Sequence, residues 1–179
     1  MKKLLACAVS LTVLAAAPAW AALQPGAKAP DFTAPGAMAG KAFTFSLKDA
    51  LKKGPVVLYF YPAAFTSGCT VEAHEFAEAS DEYKKLGATL IGVTAGNTNR
   101  LVEFSKSECR SKFATAAVNT KIIKSYDAVL AGYPDWSDRT SYVIAPSGEI
   151  VFTYSNPDPS KHVDETLGAL KKWRETHGQ

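Results

Sequence analysis

Cys69 follows Pro62 by seven residues and Thr66 by three, within Tyr59-Phe60-Tyr61-Pro62-Ala63-Ala64-Phe65-Thr66-Ser67-Gly68-Cys69-Thr70-Val71-Glu72-Ala73. A thiol in such a place can act as a nucleophile if its anion is stabilised. Apolar, β-rich residues run from Pro55 to Tyr61, and a helical pattern carrying Ala73, Phe76, Ala77 and Tyr83 runs from about Cys69 to Leu86. The cysteine therefore falls in the first turn of a helix, where free amides and the positive helix end favour an anion. Thr66 can set its hydroxyl beside the sulfur as donor and acceptor. Pro62 has no N–H and fixes the loop entry, which keeps part of the pocket dry. Taken alone, a cysteine in an apolar region fits packing as well as catalysis, and Arg139 at a strand start fits a surface charge. His74, His162 and His177 show no metal-ligand spacing.

The elements that position these residues alternate in type. Ala42–Leu47 alternates apolar and polar, as an edge strand does. The run to Tyr61 is continuously apolar, which predicts a strand covered on both faces. After the helix stopped by Gly87 comes a second buried strand, Ala88–Val93. Asn97 or Thr98 then caps a helix carrying Leu101, Val102, Phe104 and Phe113, with Cys109 on the flank of its apolar face. A weaker strand near Ala114–Val118 and a short helix near Thr120–Tyr126 follow. Thr140–Ile144 and Ile150–Tyr154 flank Pro146-Ser147-Gly148-Glu149 as a β-hairpin. Asp158-Pro159 opens a last helix striped by Val163, Leu167, Leu170 and Trp173. Strands alternating with helices predict an α/β layer fold with a mixed sheet.

The chain has 179 residues, 20 Lys+Arg against 17 Asp+Glu, and a formal charge of +3. That balance carries no electrostatic footprint for nucleic acid. Three cysteines are too few for a disulfide scaffold but enough for redox chemistry. Met1-Lys2-Lys3, the apolar run Leu4–Ala17 and Pro18-Ala19-Trp20-Ala21 form the three parts of a secretory signal, with cleavage expected after Ala21. The apolar run is short of the roughly 20 residues that span a bilayer, so no stable membrane association is expected. Cys7 sits too near the start for a lipoprotein box. The expected product is one domain, residues 22–179, in a periplasm or outside the cell, with Cys69 and Cys109 as its thiols. Two thiols can pair there.

Pro62-x-x-x-Thr66-x-x-Cys69 resembles the active-site motif of the peroxiredoxins. The longer Tyr61-Pro62…Phe65-Thr66-x-Gly68-Cys69-Thr70-x-Glu72-Ala73 resembles the Q-type branch, the bacterioferritin comigratory proteins, of the alkyl hydroperoxide reductase–thiol-specific antioxidant family. Ala29-Pro30-Asp31-Phe32 resembles that family's opening. Arg139-Thr140-Ser141-Tyr142-Val143-Ile144 with Gly148-Glu149-Ile150 resembles its late arginine strand and hairpin. The resemblance runs in order from about Gly26 to the C-terminus. It implies a thioredoxin-like α/β fold with helices on both faces of a mixed central sheet. It also implies a peroxidase for hydrogen peroxide and organic hydroperoxides that uses no metal, flavin or haem. Carried over, Cys69 is the attacking thiol and Thr66 orients the peroxide. Pro62 shields the sulfur, and Arg139 stabilises the thiolate and polarises the O–O bond.

Many Q-type members carry a second cysteine five residues after the first; here that position is His74, read as a solvated helix residue without a role. Some members place the resolving cysteine in the helix after the second core strand, which implies that role for Cys109. A buried structural thiol, with an external thiol regenerating a one-cysteine enzyme, is the alternative. The implied partners are a peroxide and a thioredoxin-type reductant, and the implied assembly is a monomer or weak homodimer. Two rivals differ in class. A thiol–disulfide oxidoreductase normally uses Cys-x-x-Cys, whereas Cys69 precedes Thr70-Val71-Glu72. A non-catalytic binding module predicts a degraded loop, yet Pro62, Thr66, Cys69 and Arg139 are all present.

Overall fold

The side chains of Val56–Phe60 alternate between two apolar layers, and that alternation organises the molecule. Val56, Leu58 and Phe60 join one layer with Leu47, Ala50, Ile123 and Tyr126; Val57 and Tyr59 join the other with Ala73, Phe76, Tyr83, Phe104 and Leu170. All five strand residues are fully buried, as their continuous apolarity predicts. The structure is a computed structural model that describes residues 22–177. The expected signal over residues 1–21, Cys7 included, lies outside the described residues.

The strands are β1 (Thr33–Met38), β2 (Lys41–Ser46), β3 (Val56–Phe60), β4 (Thr89–Thr94), β5 (Ala114–Ala117), β6 (Val129–Leu130), β7 (Tyr133–Ser137), β8 (Thr140–Ile144) and β9 (Ile150–Ser155). The helices are α1 (Leu47–Leu51), α2 (Ser67–Lys85), α3 (Leu101–Ser107), α4 (Thr120–Ser125) and α5 (His162–His177). Seven strands form one sheet in the order β2-β1-β5-β4-β3-β8-β9. The central β5-β4-β3 trio is parallel, and the pairs on either side of it are antiparallel. Residues of α1 and α4 cover one face and those of α2, α3 and α5 the other.

Two registers bring distant residues to one end of the sheet. The β3–β8 pair sets Phe60 opposite Thr140, so the residue before β8, Arg139, stands where β3 hands the chain to the Pro62–Thr66 loop. A parallel bridge between Ala63 and Gly96 ties that loop to the end of β4. A Cβ on Gly96 would lie 2.4 Å from the Pro62 carbonyl oxygen, so this approach requires glycine.

Four differences from the sequence reading have physical causes. Thr33–Met38 is a strand although it is rich in Pro, Gly and Ala, because the antiparallel partners β2 and β5 supply its pairing. Leu47–Leu51 forms an unexpected short helix, capped by the Ser46 hydroxyl accepting from the Asp49 amide. Val129–Leu130 and Tyr133–Ser137 form an unexpected small hairpin. The helix expected to carry Cys109 and Phe113 ends at Ser107, and Arg110 and Ser111 turn left-handed at φ 47 and 56. Cys109 therefore lies in the turn before β5, fully buried, while Val102 is exposed.

Candidate active site

β3 runs into Tyr61, whose amide donates to the Val93 carbonyl at 3.0 Å, and the chain then leaves the sheet through Pro62–Thr66. Phe65 adopts a left-handed backbone (φ 65), and Thr66 is the extended residue at the start of α2. The Thr66 hydroxyl does not cap the helix; it donates to the Ala63 carbonyl at 3.1 Å, which tightens the loop. Pro62 accepts at its carbonyl from the Thr94 hydroxyl at 3.0 Å, pinning the loop entry to β4. Two residues into α2 stands Cys69, 1% exposed.

Arg139 reaches the sulfur from the far side. Its Nη2 donates to Cys69 Sγ at 3.6 Å, its Nε to the Pro157 carbonyl at 2.9 Å, and its Nη1 to Glu72 Oε2. The guanidinium is fixed by acceptors around its fork, with one N–H directed at sulfur. Gly68 leaves the space for it: a Cβ there would stand 3.1 Å from Nη2. Burial works against the Arg139 charge, but Glu72 and Cys69 beside it outweigh that and hold its pKa above the ordinary value.

Glu72 is buried on the inner stripe of α2 with Cys69, Ala73 and Phe76. Burial pushes its carboxyl up to about 8, against the pull of Arg139. Its second oxygen, Oε1, has no hydrogen-bond partner among the described residues and lies 3.7 Å from His162 Nδ1. His162 is fully buried and, by burial first, lowered to about 4, so the ring is neutral at pH 7. Nε2 faces the Asn156 carbonyl at 2.9 Å and must carry the proton, which leaves Nδ1 to accept from the Ser141 hydroxyl at 2.8 Å.

The structure thus gathers Pro62, Thr66, Cys69 and Arg139 at one end of the sheet. Glu72, part of the quoted motif, and His162 carry no role in the sequence analysis, yet both are buried beside Arg139 and each other. A signal existed for both: each falls at helical spacing among buried positions, Glu72 with Cys69 and Phe76, His162 with Thr166 and Leu170. Cys109 packs in the same apolar layer as Cys69, with Tyr59, Tyr61 and Phe104, and both thiols are free. Burial, with Glu108 adding to it, holds the Cys109 thiol far above the ordinary range. His74 is not simply solvated. Its Nε2 lies 2.8 Å from Glu108 Oε2, because the chain beyond Ser107 turns back across α2. Among the described residues no group of three His, Cys, Asp or Glu side chains is placed to hold a metal ion. No described helix is long and apolar enough to cross a membrane.

Residues 25–153 match the model of the AhpC/TSA family. The chain belongs to that family. Among its relatives is the chloroplastic protein of Oryza sativa subsp. indica named putative peroxiredoxin Q, 32% identical over 147 residues, covering 82% of this chain. The chain spans 66% of that relative's length. The chloroplastic peroxiredoxin Q of Sedum lineare is 31% identical over 137 residues, covering 71% of this chain and 74% of its own. The family's fold is also present: the peroxidoxin BcpB of Mycobacterium tuberculosis superposes with a TM-score of 0.73 at 25% identity, covering 84% of this chain and 97% of its own. The reduced 2-Cys peroxiredoxin of Plasmodium vivax gives 0.75 at 22% identity, covering 87% and 99%. The mixed α/β sheet with helices on both faces is therefore the thioredoxin-like arrangement that the sequence resemblance implies.

Proposed function

We propose that this protein is a thiol-dependent peroxidase in which Cys69 attacks hydrogen peroxide or an organic hydroperoxide. The observation that carries the reading is the Arg139 N–H directed at Cys69 Sγ, from a guanidinium held by Glu72 and the Pro157 carbonyl, beside the first turn of α2. Both the fixed charge and the helix end set positive potential beside the sulfur. The Cys69 thiolate attacks the terminal peroxide oxygen, the O–O bond breaks, and the departing alkoxide takes up the proton the thiol gave. The products are a Cys69 sulfenic acid and an alcohol, or water when the substrate is hydrogen peroxide. Arg139 stabilises both the attacking sulfur and the charge that grows on the leaving oxygen. Thr66 orients the peroxide, and Pro62 shields the sulfur from water.

Cys109 then resolves the sulfenic acid as a disulfide, and a thioredoxin-type dithiol reduces that disulfide. Cys109 is the second thiol of the described residues and shares an apolar layer with Cys69. Export to a periplasm rests on the basic, apolar and small-residue order of positions 1–21, and the proposed resting assembly is a monomer or weak homodimer. Peroxide consumption with a thioredoxin-type donor tests the reading, beside Cys69→Ser. The parent should turn over and the variant should not; equal consumption by both would refute the assignment. Mass spectrometry after one equivalent of peroxide reads the second step. A Cys69–Cys109 linked peptide is expected, whereas stable sulfenic or sulfinic acid at Cys69 beside reduced Cys109 would make this a one-cysteine enzyme.

A further inference from the structure

Cys109 is buried in a turn whose backbone resists its own shape. Arg110 and Ser111 are both left-handed, at φ 47 and 56, and each carries a Cβ that disfavours that region. Backbone bonds close the turn, from Cys109 to Phe104 at 3.0 Å, Ser111 to Ser105 at 3.1 Å and Lys112 to Cys109 at 2.8 Å, and side chains tie it to α2. Three side-chain pairs cross from the turn to α2: a hydrogen bond between Glu108 and His74 at 2.8 Å, and the ion pairs of Arg110 with Glu78 at 3.0 Å and Lys112 with Asp81 at 3.4 Å. His74, Glu78 and Asp81 are four and three residues apart and form one stripe along the helix. Their partners lie on either side of Cys109 in the turn. Phe113 anchors its far end, buried against Tyr59 and Phe76. The His74–Glu108 pair is the most sheltered, with side chains 35% and 17% exposed.

We propose that these three pairs form a strap that keeps Cys109 in its buried place and so sets the rate at which the Cys69 sulfenic acid becomes a disulfide. The proposal rests on the reading of Cys109 as the resolving thiol. In that step Cys109 loses its proton, its sulfur attacks Cys69 Sγ, the S–O bond breaks, and the hydroxide that leaves takes up the proton as water. A thiol enclosed among Tyr61, Phe104 and Phe113 cannot readily give up a proton, so the turn must open first. The strap opposes opening and the left-handed backbone favours it. His74, at the position where many Q-type members carry the local resolving cysteine, here holds the turn that bears the remote one. Each pair is partly exposed, so each is individually weak, and the Arg110–Glu78 and Lys112–Asp81 pairs are screened by salt.

The test is the variant His74→Ala/Glu78→Gln/Asp81→Asn, which leaves both cysteines and every residue around Arg139 in place. Alkylation of Cys109 by a maleimide, in a Cys69→Ser background, reads the opening without any peroxide chemistry. The variant should label about threefold to tenfold faster, and added sodium chloride should speed the parent but not the variant. With Cys69 present, the disulfide formed after one equivalent of peroxide, quenched and read by mass, should appear faster by the same factor. Unchanged labelling would overturn the strap. Faster labelling with disulfide formation at the parent rate would overturn the gating and leave Cys109 as the resolving thiol. Faster labelling with no Cys69–Cys109 peptide from either protein would overturn the resolving role, and the gating with it, while the strap itself stood. A charge exchange, Glu78→Arg with Arg110→Glu, guards against general loosening. It should restore parent labelling where each single change raises it; failure to restore would overturn the pairing.

Discussion

Arg139 spreads one charge over two acceptors, the Glu72 carboxyl and the Cys69 sulfur. Removing the guanidinium takes away the N–H aimed at sulfur and also leaves Glu72 buried without its partner. Arg139→Ala should therefore slow the reaction of Cys69 with peroxide by about 10²–10³-fold, the scale for losing one preorganised donor to a developing charge. Arg139→Lys should recover only part, because a point charge cannot serve the Pro157 carbonyl, Glu72 and the sulfur from one planar fork. Single-turnover kinetics with hydrogen peroxide separates these variants; an Arg139→Ala protein reacting at the parent rate would refute the role. At this scale the sequence was enough to set Pro62, Thr66 and Cys69 together between the end of β3 and the first turn of α2, where they stand. It did not disclose that Glu72 faces inward. Glu is normally a solvent-side helix residue, and its place on the buried stripe becomes meaningful only once Arg139 is known to come from the start of β8 to meet it.

Among the elements, the first turn of α2, just after the Pro62–Thr66 loop, comes close to the Arg139 guanidinium, and the approach sits at a glycine. Gly68→Ala places a Cβ 3.1 Å from Arg139 Nη2, so the guanidinium must yield by a few tenths of an ångström. The same change suits the helix, where alanine is favoured over glycine by up to about 1 kcal/mol. The expected result is a split: unfolding temperature unchanged or raised, and peroxide reactivity lowered about tenfold by the displaced donor. Thermal unfolding beside single-turnover kinetics reads both, and undiminished reactivity would show that the spacing is not critical. The strands and long helices were legible because their apolar periods are long and regular, as in Val56–Phe60 and along α2. β1 was not, because its Pro-Gly-Ala composition carries no strand signal and its pairing comes from β2 and β5. The end of α3 was not either: the apolar Phe113 extends the helical period through a turn whose left-handed residues and contacts to α2 the period does not reveal.

For the whole molecule, the buried groups beside the site couple folding to pH, and their signs differ. Glu72 is raised from 4.5 to about 8, so the folded state holds its proton more tightly than the unfolded chain. Its stabilisation is complete below about pH 4.5 and is lost as pH rises towards 8. Asp138, raised by burial from 3.8 to about 6, has the same sign and is spent by about pH 6. His162, lowered from 6.5 to about 4, has the opposite sign: its stabilisation is present above pH 6.5 and is lost as pH falls towards 4. Below pH 6.5 these contributions oppose one another. Between about pH 6.5 and 8, Glu72 is the one of the three still titrating, so the reduced protein should lose stability there, by of the order of 2 kcal/mol at most. Glu72→Gln keeps a carbonyl oxygen for Arg139 but cannot titrate, so its unfolding temperature should stay level across that window while the parent's falls. Parallel slopes for the two proteins would mean that Glu72 is already ionised at pH 6.5, with Arg139 overcoming the cost of burying it.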